Sequence, residues 1–265
     1  MPPVCLTFDV DAEAGLGDRL DAHRHRLSSL SEREFGVTRG VPRILDLLAE
    51  HGMRATFYVP GATALRHPEA ISAIVDAGHE IGHHGHDHLR SHEIDEARQT
   101  AEIDEALAAL RPYLGDTFGY RSPAWELTPH TAQLLLDRGF AYDSSLMGDD
   151  RPYWLEVGAG RIRELPIHWS LDDFMWFAIW QETRPTATSA WLEAWTDELA
   201  CAAREHRAVT LTFHPEVIGR GYRALALGRL LAHLTSSGAT VITQGELAAT
   251  MGQTPPDAQQ QAPLG

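Results

Sequence analysis

This chain is poor in cysteine, poor in positive charge and free of long apolar runs. It has two cysteines, Cys5 and Cys201, and 22 Lys and Arg against 37 Asp and Glu. Two cysteines cannot build a disulfide framework. One falls in an apolar strand-like run and the other in a helical pattern, so both read as reduced packing residues. A formal net charge of −15 argues against nucleic acid or an anionic membrane as partner, because both are bound through cationic surface. No apolar stretch approaches the length of a membrane span, and Met1-Pro2-Pro3 leads directly into the first strand-like segment. The expectation is no signal peptide, no membrane segment and a cytoplasmic protein.

What the chain has in unusual density is histidine. The stretch from Gly78 to His88 holds five of them, His79, His83, His84, His86 and His88. His84 and His88 are four residues apart in a loop that follows a short strand-like segment, a separation that lets two imidazoles converge on one metal ion in a tight turn. The ordinary reading of such a tract is a solvated surface patch. A second segment weighs against that reading. Val4-Cys5-Leu6-Thr7-Phe8 is β-type and ends in Asp9-Val10-Asp11. Side chains alternate along a strand, so Asp9 and Asp11 project together from its carboxyl end, where open sheets and parallel barrels build their sites. The bland alternative is a pair of acids opening a polar loop. Two carboxylates that close repel unless a cation or an arginine lies between them, and a metal on His84 and His88 is one such cation.

The rest of the chain alternates strands with amphipathic helices. Strands are expected at 55–59, 79–82, 119–121, from 140, at 163–167, 209–213 and 240–243. Helices are expected at 41–50 (with Thr38 as N-cap), 69–77, 93–110, 128–138, 189–206, 222–234 and 245–251. This repetition indicates an α/β fold, with residues 1–251 as one domain and 252–265 as a disordered tail rich in Gln, Pro and Ala. Residues 146–160 read as a loop. The aromatic stretch from Trp169 to Trp180 reads as core helix, substrate lid or oligomer contact. If the part from Phe174 to Trp180 is exposed, it implies a homo-oligomer.

Five short motifs, in order, resemble those of the polysaccharide deacetylase family (NodB homology, carbohydrate esterase 4), most closely its cytoplasmic peptidoglycan-deacetylase-like and allantoinase-like branch. They are Thr7-Phe8-Asp9-Val10-Asp11; His84 and His88 within Gly-His-Glu-Ile-Gly-His-His-Gly-His-Asp-His; Tyr120-Arg121-Ser122-Pro123-Ala124-Trp125; the segment Ile162 to Trp169; and Leu211-Thr212-Phe213-His214-Pro215. The resemblance implies a distorted (β/α) barrel with fewer than eight regular strands. It implies a metal-dependent hydrolase of non-peptide carbon–nitrogen bonds, acting on an N-acetylated saccharide or a small cyclic amide or imide. Asp11, His84 and His88 would hold one divalent transition metal, with zinc expected and iron, cobalt or manganese also compatible. Asp9 would be the general base, oriented by Arg121, and His214 the acid that protonates the leaving nitrogen. A backbone N–H near Ala124 would help bind the oxyanion. Secreted relatives usually carry an aromatic after the motif proline; here Ala124 precedes Trp125. Trp125, Ala124, Trp169, Asp172 and Asp173 are expected to touch substrate, and Asp143 and Pro123 to support the Arg121 loop. A catalytically inactive metal-binding homologue that only binds carbohydrate is the alternative. The presence of both a base and an acid speaks against it, since binding needs neither.

Overall fold

The computed structural model describes residues 2–19, 25–177 and 186–252. The last part of the aromatic stretch, from residue 178, and the expected tail from residue 253 lie outside these described residues.

A nine-stranded sheet forms the centre. Its strands are β1 (Pro3–Asp9), β2 (Thr56–Val59), β3 (Glu80–His83), β4 (Gly119–Tyr120), β5 (Tyr142–Asp143), β6 (Tyr153–Val157), β7 (Gly160–Glu164), β8 (Val209–Phe213) and β9 (Thr240–Val241). Six have four or more residues, and β4, β5 and β9 have two each, which matches the expected barrel with fewer than eight regular strands. The spatial order is β6-β7-β5-β4-β3-β2-β1-β8, with β9 also on β1. All pairs are parallel except β6 with β7. The chain beyond β7 reaches β8 through one isolated bridge, Asp172 to Thr212, so the barrel is curled rather than regularly closed.

The alternation along β1 separates the two faces of the sheet. Val4, Leu6, Phe8 and Val10 pack in the apolar layer beneath the helices, whereas Cys5 packs with Tyr58 and Tyr142 in a separate inner cluster. Phe8 stacks on Phe57 of β2 at 4.8 Å and on Phe213 of β8 at 5.1 Å. Such aromatic pairs contribute roughly 0.5–1.5 kcal/mol each beyond their buried area, and they lock the three strands that carry the site. The inner face is crowded and polar. Tyr58 and Tyr142 lie within it, and a Cβ at Gly82 or at Gly119 would fall inside their rings. The same two-residue period that sends Phe8 outward sends Thr7 and Asp9 inward.

Eleven α-helices surround the sheet among the described residues: α1 (Leu27–Phe35), α2 (Val41–Glu50), α3 (Gly61–Arg66), α4 (Pro68–Asp76), α5 (Glu96–Leu110), α6 (Pro129–Asp137), α7 (Asp173–Phe177), α8 (Thr188–Glu205), α9 (Pro215–Ile218), α10 (Gly221–Ser237) and α11 (Gln244–Thr250). Four expectations need correction. Thr38 is not an N-cap: a π-turn at Gly36–Gly40 joins α1 to α2, and the Thr38 hydroxyl donates back to the Glu34 carbonyl. Residues 146–160 are not all loop, because Tyr153–Val157 pairs with Gly160–Glu164 across a two-residue turn with Gly158 at φ +57°. Positive φ at the first turn position suits a right-twisted hairpin. The expected strand at 163–167 accordingly begins earlier and ends at Glu164. The expected helix at 93–110 starts at Glu96, where the Asp95 carboxylate accepts the Arg98 N–H.

Candidate active site

Asp9 is the last residue of β1, and Asp11 lies two residues beyond it. Ala12 follows at φ +47°, and the Thr63 hydroxyl donates to the Asp11 carbonyl at 2.7 Å, so the turn after β1 is fixed from both sides. The two carboxylates converge, as the alternation requires. Asp11 Oδ1 lies 3.5 Å from His84 Nε2 and 3.5 Å from His88 Nε2, and Asp9 Oδ2 lies 3.9 Å from His84 Nε2.

His84 and His88 occupy a loop after β3, not a helical turn. His88 has φ +57° and Gly85 φ +71°, and helix α5 holds the loop in place. Glu102 Oε2 accepts the backbone N–H groups of His86 and Asp87 at 2.8 and 2.9 Å, while its Oε1 accepts from Arg98. His83 ties the other side, accepting the Gly85 N–H on Nδ1 and bonding the Ile103 carbonyl through Nε2. His84 Nδ1 donates to the Arg121 carbonyl at 2.7 Å, which fixes the tautomer with a lone pair on Nε2. Burial pushes the imidazole pKa values down to about 4 for His84 and about 3 for His88. Both are neutral and ready to act as ligands at physiological pH.

These three side chains fit a metal ion. Their donor atoms lie within 4.8 Å of one another, and Asp11 Oδ1 is buried with no hydrogen-bond partner. An orphaned buried carboxylate oxygen facing two imidazole lone pairs is the donor set of an open catalytic site, with room for water and substrate.

Arg121, with 0% of its surface exposed, organises the inner face beside this group. Its Nη1 donates to Asp9 Oδ1 at 2.7 Å and to the Thr7 hydroxyl at 2.9 Å; Nε and Nη2 bond the Ser144 carbonyl and hydroxyl, each at 3.1 Å. The guanidinium also lies over the Tyr58 ring at 4.2 Å. Burial opposes ionisation of Asp9, but Arg121 outweighs it, with His84 and His214 adding to the effect, and holds the carboxyl below its usual range. Asp9 is therefore ionised, with Oδ1 committed to Arg121 and Oδ2 turned towards the histidines.

His214 follows β8 and begins α9. Its ring Nδ1 donates to Asp173 Oδ1 at 2.9 Å, and its backbone N–H bonds the same carboxylate. Asp172 Oδ1 stands 3.4 Å from the same ring nitrogen. Burial alone would keep the ring neutral, but two carboxylates facing one imidazole raise its pKa well above the ordinary value. His214 is thus held as an imidazolium, with Nδ1 committed to Asp173.

A cleft of about 570 Å³ collects these groups: Asp9, Asp11, His84, His88 and His214 line it together with Arg33, Ala124, Trp125, Trp169, Asp172, Phe174 and Met175. Trp125 and Trp169 stack at 4.1 Å with an interplanar angle of 17° and form an aromatic wall. Ala124 and Trp125 both have positive φ, 54° and 58°, and backbone strain of this kind concentrates at functional sites.

One expected site residue, Asp173, meets a different partner than anticipated, whereas Asp143 supports the Arg121 loop indirectly. Asp173 is fully buried with both oxygens turned to His214, so it holds that residue in place rather than meeting substrate. Asp143 does not touch Arg121 directly. Its Oδ1 accepts from the Ser145 hydroxyl, which in turn accepts the Ser122 N–H, so Asp143 braces the loop that follows Arg121. Pro123 is buried in that loop beside Gly85. Sequence reasoning missed Ser144, Glu102, Arg33 and Glu216, the last a buried carboxylate that accepts from Arg33 Nη1. Only Ser144 left a signal, as the first of two serines directly after the Tyr142-Asp143 strand; the others act across the fold.

A family model described as polysaccharide deacetylase matches residues 2–142. The chain is 28% identical to a peptidoglycan deacetylase of Helicobacter pylori, covering 92% of this chain and 94% of that one. A crystal structure from Mycobacterium smegmatis, provisionally assigned as a polysaccharide deacetylase, superposes with a TM-score of 0.88 at 36% identity, over 96% of this chain and 94% of that one. The crystal structure of Puue allantoinase shares the fold, with a TM-score of 0.84 at 24% identity over 97% and 92% of the two chains. Ordered strand-end motifs, the model match and the full-length structural likeness agree: the chain belongs to the polysaccharide deacetylase family, a family of hydrolases that act on carbon–nitrogen bonds other than peptide bonds.

Proposed function

We propose that the protein is a metal-dependent amidohydrolase of small N-acyl compounds, either an N-acetylated amino sugar or soluble saccharide or a small cyclic amide or imide. The observation that carries this reading is the convergence in one cleft of an ionised, arginine-held Asp9, the Asp11-His84-His88 donor set and a protonated His214. Zinc is the proposed ion, and iron, cobalt or manganese would also suit one carboxylate and two imidazoles. When bound, a divalent ion makes a neighbouring water more acidic and an amide carbonyl more electrophilic. Asp9 Oδ2, free of Arg121, accepts the proton of the attacking water. Arg121 keeps that carboxylate oriented and ionised. His214 donates its remaining ring proton to the departing nitrogen, which would otherwise leave as a high-energy anion. The Trp125–Trp169 wall, Phe174 and Met175 enclose a space suited to a small ligand, which, like the full-length likeness to an allantoinase fold, supports a small substrate. Metal-loaded protein should release amine or ring-opened product from at least one member of a panel of N-acetyl sugars and cyclic imides. A panel with no turnover, on protein shown to carry metal, would remove this reading.

The pH profile should be broad. Activity is lost as pH falls through the lowered pKa of Asp9 and as pH rises through the raised pKa of His214, so the alkaline limb lies above the ordinary imidazole value of about 6.5. Asp173→Asn removes one of the two charges that raise His214. It should move the alkaline limb of kcat/KM to lower pH and leave the acidic limb in place. An unmoved alkaline limb would mean that His214 does not set it.

A cytoplasmic location and self-association are part of the same proposal. The two free cysteines support the former. Met175, 58% exposed, and Trp169, 36% exposed, at the cleft mouth support the latter. Sedimentation as a strict monomer would withdraw the oligomer.

A further inference from the structure

One cation in the cleft belongs to neither the base nor the acid. Arg33, on α1, lines the cleft with 14% of its side chain exposed. Its Nη1 donates to Glu216 Oε1 at 2.7 Å. Glu216 is the second residue after His214 and is itself buried, so Arg33 is braced by the segment that carries the acid. Gly15 makes room for the guanidinium. A Cβ there would lie 2.8 Å from Arg33 Nη1 and 2.9 Å from Asp11 Cβ, which places Arg33 directly beside the first metal-site residue. A guanidinium offers five N–H donors in a planar fork. Among the described residues Glu216 takes one of them, and no other acceptor takes the rest. The second cation of the cleft, Arg90, is different: it is exposed and already paired with Glu93 at 3.1 Å, an arrangement of little energetic weight.

Neutralising Glu216 would require only a closed ion pair. The structure instead spends a glycine and a buried carboxylate to hold a mostly buried guanidinium with open donors at the wall of a reaction cleft. A planar fork of this kind suits bidentate capture of a carboxylate. We propose that Arg33 is a specificity-determining residue that binds a carboxylate on the substrate, close to the amide that is cleaved. The substrate class is then an acidic N-acyl compound. This rests on the amidohydrolase reading above and narrows it.

The test compares N-acetylglucosamine with N-acetylmuramic acid, which differ by a lactyl carboxylate, on metal-loaded wild type, Arg33→Lys and the double variant Arg33→Gln/Glu216→Gln. The double variant avoids stranding a buried Glu216 charge. Equilibrium affinity is the primary readout, because it does not need turnover. Wild type should bind the acidic sugar roughly 10–100-fold more tightly than the neutral one, the range of a charge-assisted hydrogen bond. The double variant should lose most of that ratio while binding the neutral sugar within about threefold of wild type, and Arg33→Lys should keep part of it. Equal affinities for the two sugars in wild type, or a ratio unchanged in the double variant, overturns the proposal. A purely structural role for Arg33 would weaken both sugars alike. Preserved acidic preference with no turnover of any amide would instead sink the amidohydrolase reading and leave the carboxylate site standing.

Discussion

His84→Ala combined with His88→Ala is expected to leave a folded barrel that retains no transition metal and has lost nearly all turnover. Wild-type protein purified without chelator should carry about one ion per chain. Lewis-acid assistance is worth several kcal/mol at the reacting centre, so the rate should fall on the order of 10³-fold or more. Folding should survive because the two imidazoles sit at a strand end and in the loop beyond it, outside the apolar layer built from Phe8, Phe57 and Phe213. Glu102 should continue to hold the backbone of that loop, since its hydrogen bonds go to main-chain N–H groups and not to the replaced rings. Metal analysis read beside far-UV circular dichroism checks both halves. Full occupancy in the double variant would mean that the ion sits elsewhere.

Asp9→Asn is expected to cost on the order of 10²–10⁴-fold in kcat, the usual worth of a positioned general base. It should leave metal occupancy near that of wild type. The substitution is close to isosteric, and an amide oxygen still accepts from Arg121 Nη1. It does remove the charge that balances a fully buried guanidinium. Breaking one side of a buried pair commonly costs about 3–5 kcal/mol, so a lower Tm should accompany the lost rate. The rate must then be taken well below that Tm. Arg121→Ala should harm the same step by a different route, freeing Asp9 to rotate and letting burial raise its pKa.

The parts of this site that the sequence made legible share one property. Asp9, His84, Arg121 and His214 stand at the carboxyl ends of strands or immediately after them; the period of two along the first strand placed Asp9, the spacing of the histidines placed His84, and the motif resemblance placed Arg121 and His214. Asp11 and His88 follow at short fixed spacings. The parts that stayed hidden depend on contacts between segments far apart in the chain. Arg33 meets Glu216 across 183 positions, and Glu102 reaches the histidine loop from the middle of a helix whose pattern gives no hint of it. Asp173 was correctly drawn to the site but given the wrong partner. Its place at the head of a short helix favours a free acid as readily as one buried against a histidine. The hairpin at Tyr153–Glu164 was hidden for a local reason. Gly148, Asp149, Asp150 and Pro152 announce a turn, and the short strands after them carry too little apolar alternation to stand out.

The division of labour between the two aspartates is the centre of the account, and metal content measured against kcat in Asp9→Asn and Asp11→Asn tests it most directly. The geometry gives Asp9 to Arg121 and leaves Asp11 Oδ1 facing both imidazoles with no other partner. Asp9→Asn should keep close to one ion per chain and lose its rate, whereas Asp11→Asn should lose the ion, since an amide oxygen is a poorer ligand than a carboxylate. An Asp9→Asn protein without metal beside a metal-replete Asp11→Asn protein would exchange the two roles and contradict the mechanism.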